Sequence, residues 1–70
     1  MKRIEVDSSN LASAGYDAKK KILEIEFNHG GIYQYFDVPE NVYKKLMNAD
    51  SHGKYFVYNI KDDFEYIKIK

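Results

Sequence analysis

The 70-residue sequence predicts an α+β fold, a small antiparallel β-meander of about four to five strands with two short helices packed on one face. Three observations predict it. Apolar residues alternate with polar ones through the first half of the chain, the period lengthens to that of a helix after Asp37, and alternation returns over Phe64–Lys70. A domain of this size buries only about 60% of the surface its unfolded chain exposes. Seven tyrosines and four phenylalanines supply the bulk that a thin two-layer core requires.

Lys2 to Val6 reads as a short first strand with Ile4 and Val6 on one face. Asp7-Ser8-Ser9-Asn10 follows as a turn, because all four side chains can bond nearby backbone. Leu11 to Tyr16 is a second, weaker strand, and Asp17 to Lys20 a tight connection. Lys21 to Phe27 is the clearest strand, with Leu23, Ile25 and Phe27 pointing one way and Glu24 and Glu26 the other. Asn28-His29-Gly30-Gly31 is a hairpin loop in which glycine supplies positive φ. Counting from that loop, the return strand Ile32–Phe36 directs Ile32 and Phe36 to the core, and Tyr33 and Tyr35 to the opposite face.

Asp37-Val38-Pro39-Glu40 then offers Asp37 as an N-cap, a first-turn proline and a glutamate three residues after the cap. Val42, Tyr43, Leu46 and Met47 recur at helical spacing beyond it. Asp50 or Ser51 can cap a second, shorter helix through about Asn59, which must be held by packing because so short a helix is marginal alone. Phe64–Lys70 is the last strand. Paired with the first strand, it would bring the termini together and Lys2 close to Lys68 and Lys70.

Composition removes several functions. Without cysteine there are no disulfides and no thiolate metal sites. Eleven basic and eleven acidic residues cancel, which argues against a dominant sequence-independent nucleic-acid binder. No apolar run approaches a membrane span, and the opening residues lack the apolar segment of a signal peptide, so a cytoplasmic protein is expected.

The chain resembles the KTSC domain, a short domain found alone in bacteria and phages or at the C-terminus of some lysyl-tRNA synthetases. The resemblance implies one domain over residues 1–70, with elements matching in order and spacing over about fifty-five of them. It is carried by Val6-Asp7-Ser8-Ser9-Asn10-Leu11, Gly15-Tyr16-Asp17, Leu23 to Phe27 with Gly31, Tyr33 to Pro39, Val42-Tyr43, Leu46, and Ser51 to Phe56 with Ile60. It implies no catalytic residue. Where relatives carry asparagine, basic residues and a Tyr-Pro-Tyr-Arg-like ending, this chain has Val57, Tyr58, Asp63, Glu65 and Ile67. That departure weakens any anion-binding capacity of the C-terminal segment.

The candidate binding residues are Tyr16, Tyr33, Tyr35, Tyr55, Tyr58, Tyr66, Lys68 and Lys70. Tyrosine gives large contact area at low entropic cost, and a meander would set Tyr16 beside Tyr33 and Tyr35. The competing reading is internal packing of these rings. Tyr66, Lys68 and Lys70 share a strand face, a pattern of stacking ring and phosphate-seeking lysine that also suits an exposed edge strand kept soluble.

His29 and His52, both expected in loops, would need carboxylates to hold zinc. Ser8, Ser9, His29 and Asp37 lack the context of a hydrolase triad. Glu24 and Glu26 read as a solvated face, matched to Lys or Arg across the strand. The expectation is a non-catalytic module without metal or cofactor. It binds protein, including a possible copy of itself, with RNA or single-stranded nucleic acid as the second reading.

Overall fold

In the computed structural model, which describes residues 1–70, the meander forms as its hairpins dictate. Strands β1 (Ile4–Glu5), β2 (Leu11–Asp17), β3 (Ile22–Phe27), β4 (Ile32–Tyr35) and β5 (Tyr66–Lys68) lie in one antiparallel sheet in the order β1-β2-β3-β4-β5. Helices α1 (Glu40–Asn48) and α2 (His52–Asn59) separate β4 from β5 and cover one face.

The weak alternation of β2 has a local cause. Leu11 pairs with Phe27 but Ser13 with Glu26, so an extra residue bulges out between them. The bulge lets Leu11 and Ala14, three residues apart, both reach the core. Asp17 Oδ1 accepts the Lys19 and Lys20 N–H groups and closes the β2–β3 turn.

The core is Leu11, Ala14, Leu23, Ile25, Tyr35, Val38, Leu46, Phe56 and Ile60. The return strand faces opposite to expectation. Tyr35 pairs with Leu23 and Tyr33 with Ile25, which places both tyrosines on the helix-covered side. The loop holds three residues, because Phe27 N donates to Gly31 O and Gly31 belongs to the ladder. Counting Gly31 as loop slips the register by one residue, and one residue exchanges the faces. Gly30 and Gly31 both take positive φ there (103° and 93°).

The last strand also departs from expectation. It pairs with β4, Tyr33 opposite Lys68 and Tyr35 opposite Tyr66, rather than with β1. The first and last strands are therefore the two edges of the sheet, and Lys2 is not beside Lys68 and Lys70. The connection explains this. α1 and α2 both lie between β4 and β5 in the chain, and the segment leaving α2 meets the sheet at the β4 edge, where Phe36 N donates to Glu65 O.

Asp37 does not cap α1. Its backbone is left-handed (φ 58°), turning the chain out of the sheet, while Pro39 occupies the N-cap without a side-chain bond. Of the two caps the sequence offers, Asp50 and Ser51, α2 uses Ser51, whose side chain accepts the Lys54 N–H at 3.2 Å. Ser51→Ala is expected to remove about 1 kcal/mol of stability, read as a lowered thermal midpoint with unchanged far-UV circular dichroism at 20 °C.

His52 is not in a loop but opens α2, with Nδ1 2.8 Å from Leu46 O. A carbonyl only accepts, so Nδ1 carries a proton and ties the end of α1 to the start of α2.

The opposite face of the sheet carries a polar network. Glu24 is buried, 5% exposed, rather than solvated. Arg3 Nη1 is ion-paired to its Oε2, Gln34 Nε2 donates to its Oε1 at 2.9 Å, and Arg3 Nε donates to Ser13 Oγ at 3.0 Å. Ser13 Oγ in turn donates to Glu26 at 2.9 Å. Gly15 admits Arg3 to this position. A Cβ there would lie 2.5 Å from Lys2 O and 3.2 Å from Arg3 Cα, so any side chain would push the N-terminal segment off the sheet.

Candidate functional site

Alternation along three strands and one helical position assembles a cluster of rings. Phe27 of β3, Tyr33 and Tyr35 of β4 and Tyr66 of β5 rise from the same face of the sheet, and Phe56 of α2 meets them from above. Their contacts close a circuit. Phe27 lies edge-on to Tyr33 (centroids 5.3 Å apart) and to Phe56 (5.4 Å), Phe56 edge-on to Tyr35 (5.4 Å), and Tyr66 leans on Tyr35 (5.3 Å) and Tyr33 (5.8 Å). These are favourable aromatic geometries.

The rings line an open groove of about 310 Å³ between α2 and the β4–β5 edge, with His29, Lys61 and Asp62 also along it. That volume is at the small end of ligand pockets. Burial pushes the Tyr35 phenol up to about 12, with Tyr66, Tyr33 and Asp62 adding to the effect. The Tyr35 hydroxyl in the groove is therefore uncharged near neutrality.

The structure brings together Tyr33, Tyr35, Tyr66 and Lys68 of the eight candidate residues. Lys68 is cross-strand to Tyr33, and its stem extends over the hairpin so that a Cβ on Gly31 would meet Lys68 Cε at 3.6 Å. Lys70 follows β5 and is exposed. Tyr58 is also exposed, on α2 above a neighbouring shallow depression that includes Ser9, Ser51 and Lys54.

Tyr16 and Tyr55 are elsewhere. Tyr55 is half-buried against the core. Leu23 separates Tyr16 from Tyr35 across the sheet, so Tyr16 does not stand beside the β4 pair. It stacks on Tyr43 of α1 at 5.1 Å and donates its hydroxyl to Val38 O. Burial, then the charges of Glu40 and Asp17, push its phenol up. Its role is to fasten α1 to the sheet.

Sequence reasoning missed Phe27, Phe56, His29, Lys61 and Asp62 as parts of one surface. Phe27 and Phe56 read as core, and they are half or fully buried; only the third dimension shows that their outer faces join a groove. Ser8 is fully engaged as a turn residue, its Oγ accepting from Asn10 N at 3.1 Å and Leu11 N at 3.2 Å. No three His, Asp or Glu side chains converge. No helix is long and apolar enough to cross a membrane.

Comparison with known proteins agrees along the whole chain. The sequence profile of the KTSC domain matches residues 7–64. A solved structure of a KTSC domain protein from Yersinia pestis superposes with a TM-score of 0.96 at 42% identity, covering 99% of this chain and 97% of that one. An uncharacterized protein of Stutzerimonas stutzeri is 48% identical over 56 residues, 80% of this chain and 79% of that protein. A lysine–tRNA ligase of Nostoc sp. is 38% identical over 63 residues, which are 90% of this chain but only 11% of the ligase. The profile takes in both helices and the three central strands, and the superposition extends the agreement to both edges, so the chain belongs to the KTSC domain family.

Proposed function

We propose that this domain is a non-catalytic interaction module that binds a protein partner through the tyrosine-walled groove and the adjoining C-terminal segment. One observation carries the reading. Five aromatic rings from four elements meet around an open groove, and one of them, Tyr66, remains 54% exposed. Exposed aromatic surface of this kind anchors protein interfaces, where tyrosine is enriched in the energetically dominant positions. His29, Lys61 and Asp62 line the groove beside the rings, and no three His, Asp or Glu side chains gather to hold a metal.

The test is a comparison of wild type with Tyr66→Ser in affinity capture, followed by titration of each retained protein. Tyr66 is exposed, so the variant is expected to fold, and binding is expected to weaken at least tenfold. Equal retention by both proteins would remove the groove from the interface.

A second reading, nucleic acid, is favoured by Tyr66 and Lys68 on one face and by the likeness to lysine–tRNA ligases. Titration of a labelled single-stranded RNA at low salt separates the two. The balanced charge favours protein, and phosphate-driven binding would appear there as a steep salt dependence.

A further inference from the structure

We infer that a second copy of this chain pairs with the free edge of β5, joining two sheets into one and placing a lysine from each copy beside the other's groove. The inference rests on the reading of this domain as a protein-binding module and names one partner for it.

The two edges of the sheet are unlike. β1 has two residues, and the chain before it is folded onto the polar face over Gly15. β5 is left open. Three apolar residues of its segment are exposed: Tyr66 (54%), Ile67 (50%) and Ile69 (45%). Ordinarily a protein blunts or covers such an edge.

The hydrogen bonds to β4 fix which backbone groups are free. Glu65 O accepts from Phe36 N, and Ile69 N donates to Ile32 O at 2.8 Å. Residues 65, 67 and 69 therefore turn their backbone inward, and Tyr66 and Lys68 turn theirs to the outside, as antiparallel geometry requires. A twofold antiparallel pairing must match outward residues with outward residues.

Three registers satisfy that rule. Setting Lys68 against the partner's Lys68 opposes like charges, and setting Tyr66 against the partner's Tyr66 leaves Ile67 across from the partner's Glu65. The remaining register puts Tyr66 opposite the partner's Lys68 and Lys68 opposite the partner's Tyr66, two ring–ammonium pairs on the helix-covered side. It also brings Ile67 against the partner's Ile67 on the polar face, removing both from water. That register satisfies charge, ring and apolar surface together. With zero net charge per chain, no long-range repulsion opposes approach.

A contact of about five residues per edge falls below the ~800 Å² per partner of a standard interface, so the dimer is expected to be concentration-dependent. Light scattering over about 10 µM to about 1 mM should show the mass rising from 8.2 kDa toward twice that value. Ile67→Lys opposes two charges at the twofold axis and should hold the chain monomeric, with an unchanged melt because Ile67 faces solvent. I67C supplies a second measurement in a chain that has no cysteine. A non-hydrogen-bonded pair sets Cα atoms about 4.5 Å apart, within disulfide reach, so mild oxidation should cross-link it far faster than the opposite-edge control I4C.

A constant monomeric mass with equal cross-linking of the two variants overturns the inference. So does a dimer that Ile67→Lys leaves intact. Should the chain stay monomeric while Tyr66-dependent capture of another protein persists, the self-pairing alone falls. A dimer with no such capture supports the self-pairing and removes the groove's separate partner.

Discussion

Phe56→Ala is expected to leave a large fraction of the chain unfolded at 25 °C. Phe56 is 3% exposed and is the one ring that joins α2 to both Phe27 and Tyr35. Truncating a buried phenylalanine costs about 3–5 kcal/mol, the lost transfer energy together with the cavity left behind. At about 0.05–0.15 kcal/mol per residue, a 70-residue domain has only about 4–10 kcal/mol in total. Urea titration followed by tyrosine fluorescence and circular dichroism should show the midpoint moving close to zero denaturant. Phe56→Leu, which fills most of the space, should lose only about 1 kcal/mol. A loss below that figure for the alanine variant would mean that neighbouring rings close the groove without Phe56, and that the circuit is not held from α2.

Arg3→Met is expected to destabilise the domain by about 2 kcal/mol at pH 7, and the deficit should shrink on acidification. Breaking a fully buried ion pair costs about 3–5 kcal/mol because the partner's charge is left unpaired. The Arg3 side chain is 27% exposed, so solvent screens part of that. Burial alone pushes the Glu24 carboxyl up, but hydrogen bonds from Gln34 and Arg3, and the Arg3 charge, outweigh it and hold the group below its ordinary value near 4.5.

The sign follows from that direction. A carboxyl lowered in the folded state contributes stability above its unfolded pKa and loses it as pH falls through the folded value. Removing Arg3 leaves burial opposed by the Gln34 hydrogen bond and the N-terminal ammonium, so the variant's deficit is full above the ordinary carboxylate range and declines as pH falls through the lowered folded value. Thermal midpoints of both proteins at pH 7 and pH 3.5 check this. The double variant Arg3→Met/Glu24→Gln should recover most of the loss at pH 7. An unchanged gap at both pH values would assign the effect of Arg3 to packing of its stem over Gly15 instead of to its charge.

Both results concern residues whose roles the linear pattern shows unequally. Local chemistry was enough for the strands over 22–27 and 32–35, for the existence of both helices and for a cap at Asp50 or Ser51, because alternation, helical spacing and a capping side chain act within a few residues. Asp37 misled for the same reason: it has the chemistry of a cap, but the chain needed a left-handed residue at that corner. The departures in the groove arise from register. Whether Gly31 counts as loop or ladder decides on which face Tyr33 and Tyr35 stand, and no residue near the hairpin declares it.

The sequence alone determined the fold class, the family resemblance and the surplus of tyrosine, since each depends on composition or on neighbours along the chain. Tertiary structure decided which tyrosines share a surface, which edge β5 joins, and that Arg3 reaches Glu24 across β2. Those outcomes depend on contacts between residues ten to thirty-five positions apart, whose energies are set by packing and pairing in space and leave no periodic trace in the chain.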